Sequence, residues 1–167
     1  MDVSTIAELV TALTLVVGVV FAVIQVRHLR GSREREAALE LLHSFQTVEF
    51  VKALRIVVDL PAGLSRKEIE ERLGERVDFL AVFMATWESI GILVFRREIS
   101  LDLVDDFFGG FAVVSWRVIK RSVEERRSKL QPRYGEWFEW LVERLMERQS
   151  TSPPVPAHTK HRNWKPR

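Results

Sequence analysis

The chain has 167 residues, no cysteine and a formal net charge of only +2. It therefore forms no disulfides and has no Cys nucleophile, and its balanced charge argues against the strongly basic surface that marks most nucleic-acid-binding domains. The segment from Arg27 to Arg148 holds 21 basic and 21 acidic residues, so the excess of positive charge lies in the last residues of the chain. We predict no nucleic-acid partner.

The first predicted element is an apolar run from Ile6 to Val26 that contains no Lys or Arg. A helix of this length reaches about 31 Å, close to the thickness of the hydrocarbon core of a bilayer. Four arginines follow it and form a basic collar: Arg27, Arg30, Arg33 and Arg35. Because basic flanks stay in the cytoplasm, we predict a single-pass protein of the cell inner membrane. Its N-terminus would lie outside and its C-terminal domain in the cytoplasm.

Two alternatives to a membrane span are a cleaved signal peptide and a buried helix of a soluble core. The residues before the run contain no base, and nothing after Val26 resembles a cleavage site, which disfavours a signal peptide. The Val-rich composition and the abrupt arginine collar disfavour a buried helix. The bilayer itself is therefore the first predicted partner.

One face of the predicted span carries small or weakly polar side chains: Ala7, Thr11, Thr14, Gly18, Ala22 and Gln25. Such residues let helix backbones approach closely in lipid. The face predicts pairing, either in a homo-oligomer or with another membrane helix. The alternative is that small residues are simply common in membrane spans.

The predicted fold class is all-α, with the chain divided into three parts. Residues 1–31 form the transmembrane helix and its collar, 32–149 form a cytoplasmic helical bundle, and 150–167 form a Pro-rich, basic tail that we expect to be disordered. The tail is interpreted as a solubilising segment, or alternatively as a weak contact with anionic lipid.

The first half of the bundle shows helical periodicity and clear helix boundaries. The first helix, over 33–46, places four apolar residues on one face: Ala38, Leu41, Leu42 and Phe45. Thr47 is a predicted N-cap of a second helix that runs to Asp59. The sequence from Ser65 to Glu68 is a capping box that opens a short helix ending at Gly74.

The next helix, Glu75 to Arg96, is apolar on nearly every side and is predicted to be the central helix of the bundle. Its alternative is a second span over Phe79–Phe95, which its mixed flanking charges disfavour. Ser100 then caps a short helix that is predicted to end at Gly109–Gly110. Further helices are predicted over 111–130 and 134–149, with a break at 131–133.

Two residues of the central helix stand out. Gly91 is costly inside a helix, so close packing against another helix is the expected reason for it. Glu88 lies among apolar residues and must find a partner or be protonated. We predict that Glu88 is buried and structural, with Arg55 or Arg117 as its buried partner.

The sequence contains no recognisable catalytic motif. Glu40 and His43 have the Glu-x-x-His spacing of di-iron bundles, but the bundle offers no second copy on another helix. The Gly-rich segment Phe107–Phe111 lacks the Lys-Ser/Thr that follows a phosphate-binding loop. We therefore predict no catalytic residues, no metal, no cofactor and no identifiable small-molecule substrate.

Three segments together resemble a known family: Ala85–Arg96, Glu98–Asp105 and Glu136–Arg144. They are similar to a family of small bacterial membrane proteins known only as a domain of unknown function. The resemblance covers most of the chain up to Arg148, but not the tail. It implies one N-terminal span followed by a helical domain, and it implies no activity or ligand.

These observations predict a membrane-anchored cytoplasmic interaction or regulatory module that is not an enzyme and that self-associates. One alternative is a membrane-perturbing effector whose spans assemble into a pore. Another is a membrane-tethered enzyme whose site the sequence does not reveal.

Overall fold

The structure, a computed structural model, describes residues 2, 13–26, 36, 39–40, 43, 45, 47–129 and 131–165. All the regular structure within these ranges is helical, which confirms the predicted all-α class for them. The chain divides into two compact units, Met1–Leu42 and His43–Arg167. Most of the helix predicted over 33–46 lies outside the described residues.

The described residues of the first unit are Asp2, helix α1 (Leu13–Val26), Glu36, Leu39 and Glu40. Every side chain of α1 is exposed, including Leu15 at 71% and Phe21 at 61%. Four residues of the predicted pairing face lie on it: Thr14, Gly18, Ala22 and Gln25. The rest of that face, Ala7 and Thr11, lies outside the described residues, as does the collar of Arg27, Arg30, Arg33 and Arg35.

The second unit contains the remaining helices. They are α2 (Val48–Val58), α3 (Arg66–Leu73), a 3-10 turn (Gly74–Val77), α4 (Asp78–Phe95), α5 (Leu101–Lys129), α6 (Glu136–Thr151) and α7 (Ala157–Lys160). Both N-caps predicted for α2 and α3 are confirmed. The Thr47 hydroxyl accepts a hydrogen bond from the Phe50 N–H at 3.2 Å. Ser65 and Glu68 form the full capping box, each side chain accepting the other's backbone N–H.

Helix α4 lies at the centre of the second unit and packs on α6 and α2. By length and composition, the helical stretch Arg66–Phe95 is the one among the described residues that could cross a membrane. However, α4 buries one face against its neighbours: Phe83, Met84, Trp87, Ile90, Gly91 and Val94. This face of α4 belongs to the core of the bundle, while the choice between a core helix and a second span over Phe79–Phe95 stays a prediction.

Helix α5 corrects one sequence prediction. Ser100 does cap its start, since the Ser100 hydroxyl accepts from the Leu103 N–H at 3.2 Å. The predicted end at Gly109–Gly110 is wrong, because the helix continues without interruption to Lys129. A glycine inside a helix costs only about 1 kcal/mol relative to alanine. Burial of the apolar side chains further along α5, such as Ala112 and Trp116, outweighs that cost.

The core of the second unit is largely aromatic. Trp87 has no exposed surface and stacks on Phe138 of α6 with ring centroids 5.1 Å apart. Other rings surround this pair: Phe45, Phe50, Phe83 and Trp116. A smaller apolar cluster under α3 contains Leu64, Ile69 and Leu73. The core thus joins α2, α4, α5 and α6 through the side chains around Trp87.

The tail beyond α6 has little regular structure. Its described side chains from Ser152 to Lys165 are all exposed, and it contains a single short helix, α7. The disorder expected of residues 150–167 stays a prediction.

Candidate functional site

A cleft of about 1070 Å³ opens in the second unit between α3, α4, α5 and the segment 131–135. Its apolar lining comes mainly from one side of α4 and the preceding turn: Val77, Leu80, Ala81, Met84 and Ala85. Its charged lining consists of Arg66, Glu70, Asp78, Glu88, Arg126 and Arg133. A cleft of this size with convergent polar groups has the character of a small-molecule site.

The segment between α5 and α6 forms one wall of the cleft, and its local chemistry explains its path. Pro132 follows the last turn of α5, at the break that the sequence predicted. Gly135 has a left-handed conformation with φ of 73°, and a Cβ there would lie 2.9 Å from a methyl of Val123. The Arg127 guanidinium donates to the Tyr134 carbonyl oxygen at 2.7 Å and pairs with Glu139 of α6. These contacts hold Tyr134 in the wall of the cleft.

Tyr134 lies beneath an arginine. The guanidinium of Arg126 sits 4.3 Å from the centroid of the Tyr134 ring, and its Nε donates to the Gln131 amide oxygen at 3.1 Å. Within the described ranges no carboxylate comes within 4.0 Å of Arg126, so no ion pair there neutralises its charge. Burial raises the pKa of the Tyr134 hydroxyl, and the positive charges of Arg126 and Arg66 partly oppose that rise.

Arg66 brings a second guanidinium to the cleft. It occupies the first turn of α3, where its backbone N–H donates to the Glu125 carboxylate of α5 at 3.0 Å. Its Nε donates to Glu70 at 2.6 Å. Its Nη1 is buried and has no hydrogen-bond partner in the described part of the chain. A buried donor without an acceptor is costly, and an acceptor on a bound ligand would satisfy it.

Glu88, which was predicted to be buried, is only half-buried at the side of the cleft. Its Oε1 accepts the backbone N–H of Phe138 at 2.8 Å, so that a side chain of α4 caps the first turn of α6. Burial raises the pKa of the Glu88 carboxyl above its ordinary value of 4.5, although hydrogen bonds from the backbone of Phe138 and Trp137 oppose the rise. The carboxyl therefore links α4, α6 and the cleft.

A family model described as a domain of unknown function, DUF4760, matches residues 12–145. The chain belongs to this family. No curated protein and no solved structure gives a significant match. The family assignment confirms the resemblance drawn from Ala85–Arg96 and the two later segments as far as a domain of unknown function. The bacterial source and the membrane location stay predictions. The DUF4760 match extends over both α1 and the cleft, so both features lie within the domain.

The structure of this DUF4760 domain corrects the partner predicted for Glu88. Arg55 and Arg117 are exposed, so the prediction that they are buried partners of Glu88 is wrong. The partner is instead a backbone N–H at the start of α6, which carries the partial positive charge of a helix N-terminus. Sequence reasoning considered only side-chain partners and could not locate this N–H, because it lies 50 residues further along the chain.

Sequence reasoning also missed the cleft of this DUF4760 domain. Arg66, Arg126 and Tyr134 come from three separate elements, and only the packing of α3 on α5 brings them together. The one local signal was Pro132 followed by Gly135, which marks a sharp turn around Tyr134. Among the described residues there is no group of three or more His, Asp or Glu side chains able to hold a metal ion.

Substitution of Glu88 in the full chain tests its capping role. Glu88→Ala leaves the Phe138 N–H without its acceptor and is expected to cost about 1 kcal/mol, as is typical of a lost N-cap. Glu88→Gln keeps an amide oxygen that accepts the same N–H, so at acid pH, where the carboxyl is neutral as the amide is, it should preserve the melting temperature. The measurement is thermal unfolding followed by near-ultraviolet circular dichroism. Equal losses for Ala and Gln would contradict the capping role.

The raised pKa of Glu88 also predicts a pH dependence. The protonated carboxyl is favoured in the folded protein, so its contribution is fully present below the unfolded pKa near 4.5 and is lost as pH rises through the folded pKa. The wild type should therefore lose stability relative to Glu88→Gln between acid and neutral pH. A difference in melting temperature that stays constant with pH would contradict this prediction.

Proposed function

We propose that this DUF4760 chain is a membrane-anchored, cytoplasm-facing interaction or regulatory module that is not catalytic and that self-associates through its anchor. One observation carries the anchoring: all fourteen residues of α1 are exposed, and most of their side chains are large and apolar. The second unit has an apolar core of its own. The anchor and the folded module are thus separate parts of the chain.

The physical argument for the anchor is the cost of leaving α1 in water. Each square ångström of apolar surface removed from water stabilises by about 25 cal/mol. A continuous exposed apolar surface therefore marks contact with a membrane or a protein. The apolar sequence extends back from α1 to Ile6, which brings the apolar run to a length suited to a bilayer, and the arginine collar follows at once.

A reporter fusion tests the proposed topology. A reporter that is active only in the cytoplasm, fused after Arg148 in a Gram-negative host, should be active. A reporter that is active only in the periplasm should be inactive at the same position. The fusion should also remain in the membrane fraction after an alkaline carbonate wash. A periplasmic signal after Arg148, or release by the wash, would contradict the proposal.

The self-association rests on the face that includes Thr14, Gly18 and Ala22. A Cβ placed at Gly18 meets no other atom within 4 Å, so the α1 surface is open there to another helix. Gly18→Ile should weaken the signal of a membrane two-hybrid assay on the full chain. Val19→Ile, on another face of α1, is the matched control and should leave the signal unchanged. Equal effects of the two substitutions would remove the argument for this face.

A further inference from the structure

We propose that the cleft of the second unit binds a small amphipathic anion, in which an apolar chain ends in a carboxylate or a phosphate. The inference concerns the cleft alone and holds whether or not α1 crosses a membrane. It rests on two features of the described residues: an apolar stripe on α4 and two arginines that keep unused binding capacity.

The apolar stripe would hold the chain of the ligand. Val77, Leu80, Ala81, Met84 and Ala85 recur at helical spacing and line the cleft along about 12 Å of helix. Ala81 and Ala85 are exposed to solvent although they belong to the central helix of the bundle. Their small side chains leave the space that the cleft occupies, and an apolar chain laid along them would be removed from water.

The arginines would hold the anionic end. Two further charged groups of the cleft already have favourable interactions. Arg133 pairs with Glu136, and Asp78 lies in the first turn of α4, where the helix N-terminus stabilises a carboxylate. Arg126 has no ion pair within the described ranges, and Arg66 retains a buried Nη1 without an acceptor. Both arginines line the cleft together with Tyr134, and the Arg126 guanidinium lies 4.3 Å from the centroid of the Tyr134 ring. Guanidinium groups bind carboxylates and phosphates through paired N–H donors.

Besides Asp78, two carboxylates of the cleft lining could oppose an anion: Glu70, which already accepts from the Arg66 Nε, and Glu88. The Glu88 Oε1 is already engaged with the Phe138 N–H, and burial favours the protonated form of Glu88. The carboxyl repels a bound anion only in its ionised form. Removing the residual charge with Glu88→Gln should therefore strengthen the binding of an anion.

The test uses the full chain in phosphatidylcholine nanodiscs and three probes that share one apolar chain: octanoate, octanol and octylammonium. Titration calorimetry, corrected with empty nanodiscs, should show saturable binding of octanoate and binding at least tenfold weaker for the other two. Octyl phosphate, as a fourth probe, distinguishes the two head groups. Tighter binding of octyl phosphate identifies a phosphate ligand, and tighter binding of octanoate identifies a carboxylate ligand.

Three variants locate the binding. Arg126→Gln should weaken octanoate at least tenfold, and Ala81→Trp, which fills the cleft from an exposed position, should abolish binding. Ala62→Trp, exposed outside the cleft, is the matched control and should bind as the wild type does. Each variant is first shown to melt as the wild type does. The proposal is overturned if no probe binds, if octylammonium binds as tightly as octanoate, or if Ala81→Trp leaves binding unchanged.

Discussion

Gly91→Ala is expected to destabilise the bundle by about 1–3 kcal/mol, the usual cost of overpacking, although it adds only one methyl group. A Cβ at Gly91 would lie 2.3 Å from the carbonyl oxygen of Trp137 and 2.8 Å from its carbonyl carbon. These are backbone atoms of α6, so they can give way only if α4 and α6 separate. Thermal unfolding of the full chain, followed by near-ultraviolet circular dichroism, measures the loss.

Gly110→Ala is the matched control for Gly91→Ala. Gly110 also lies inside a helix, but a Cβ there meets no other atom within 4 Å. The substitution should leave the bundle unchanged or stabilise it by up to about 1 kcal/mol, because alanine has the higher helix propensity. If Gly91→Ala were as stable as Gly110→Ala, the close approach of α4 and α6 would not be a feature of the folded protein.

Trp87→Ala is expected to cost about 3–5 kcal/mol, since it leaves a cavity at the centre of the aromatic core. Trp87 is fully buried and lies between Phe138, Phe83 and Phe45. A loss of this size is a large fraction of the stability of an ordinary domain, so the variant should lose its near-ultraviolet signal at a much lower temperature.

Comparing Trp87→Phe with Trp87→Ala separates the contribution of ring packing to stability from the effect of the indole N–H. The indole Nε1 is buried and finds no hydrogen-bond acceptor in the described part of the chain. Phenylalanine removes this unsatisfied donor, which offsets part of the lost volume. Trp87→Phe should therefore cost much less than Trp87→Ala. Equal losses for the two variants would indicate that Nε1 has a partner, such as an ordered water.

Local sequence signals predicted the boundaries of several helices because these depend on neighbouring residues. The Thr47 cap, the capping box from Ser65 to Glu68 and the turn at Pro132 all involve groups within a few residues of each other. The same local reasoning wrongly predicted that a helix ends at Gly109–Gly110. The free-energy cost of glycine inside a helix is small, and the burial of apolar side chains along α5 outweighs that cost.

The role of Gly91 was predictable in kind but not in detail. A glycine inside an apolar helix indicates a close approach, and the structure confirms one. The sequence could not show that the approaching group is the Trp137 carbonyl. The same is true of Glu88. Its apolar neighbours indicated that it needs a hydrogen-bond partner, but the sequence did not show which group that partner is.

The sequence by itself determined the all-helical class, the caps of α2, α3 and α5, and the apolar character of the N-terminal helix. Each of these follows from residue spacing and from groups a few positions apart. Only the tertiary structure decided that a backbone N–H of α6 satisfies Glu88, and that Arg66, Arg126 and Tyr134 meet in one cleft. These groups are separated by 8 to 68 residues along the chain. Their positions depend on how α3, α4, α5 and α6 pack, and no local pattern encodes that packing.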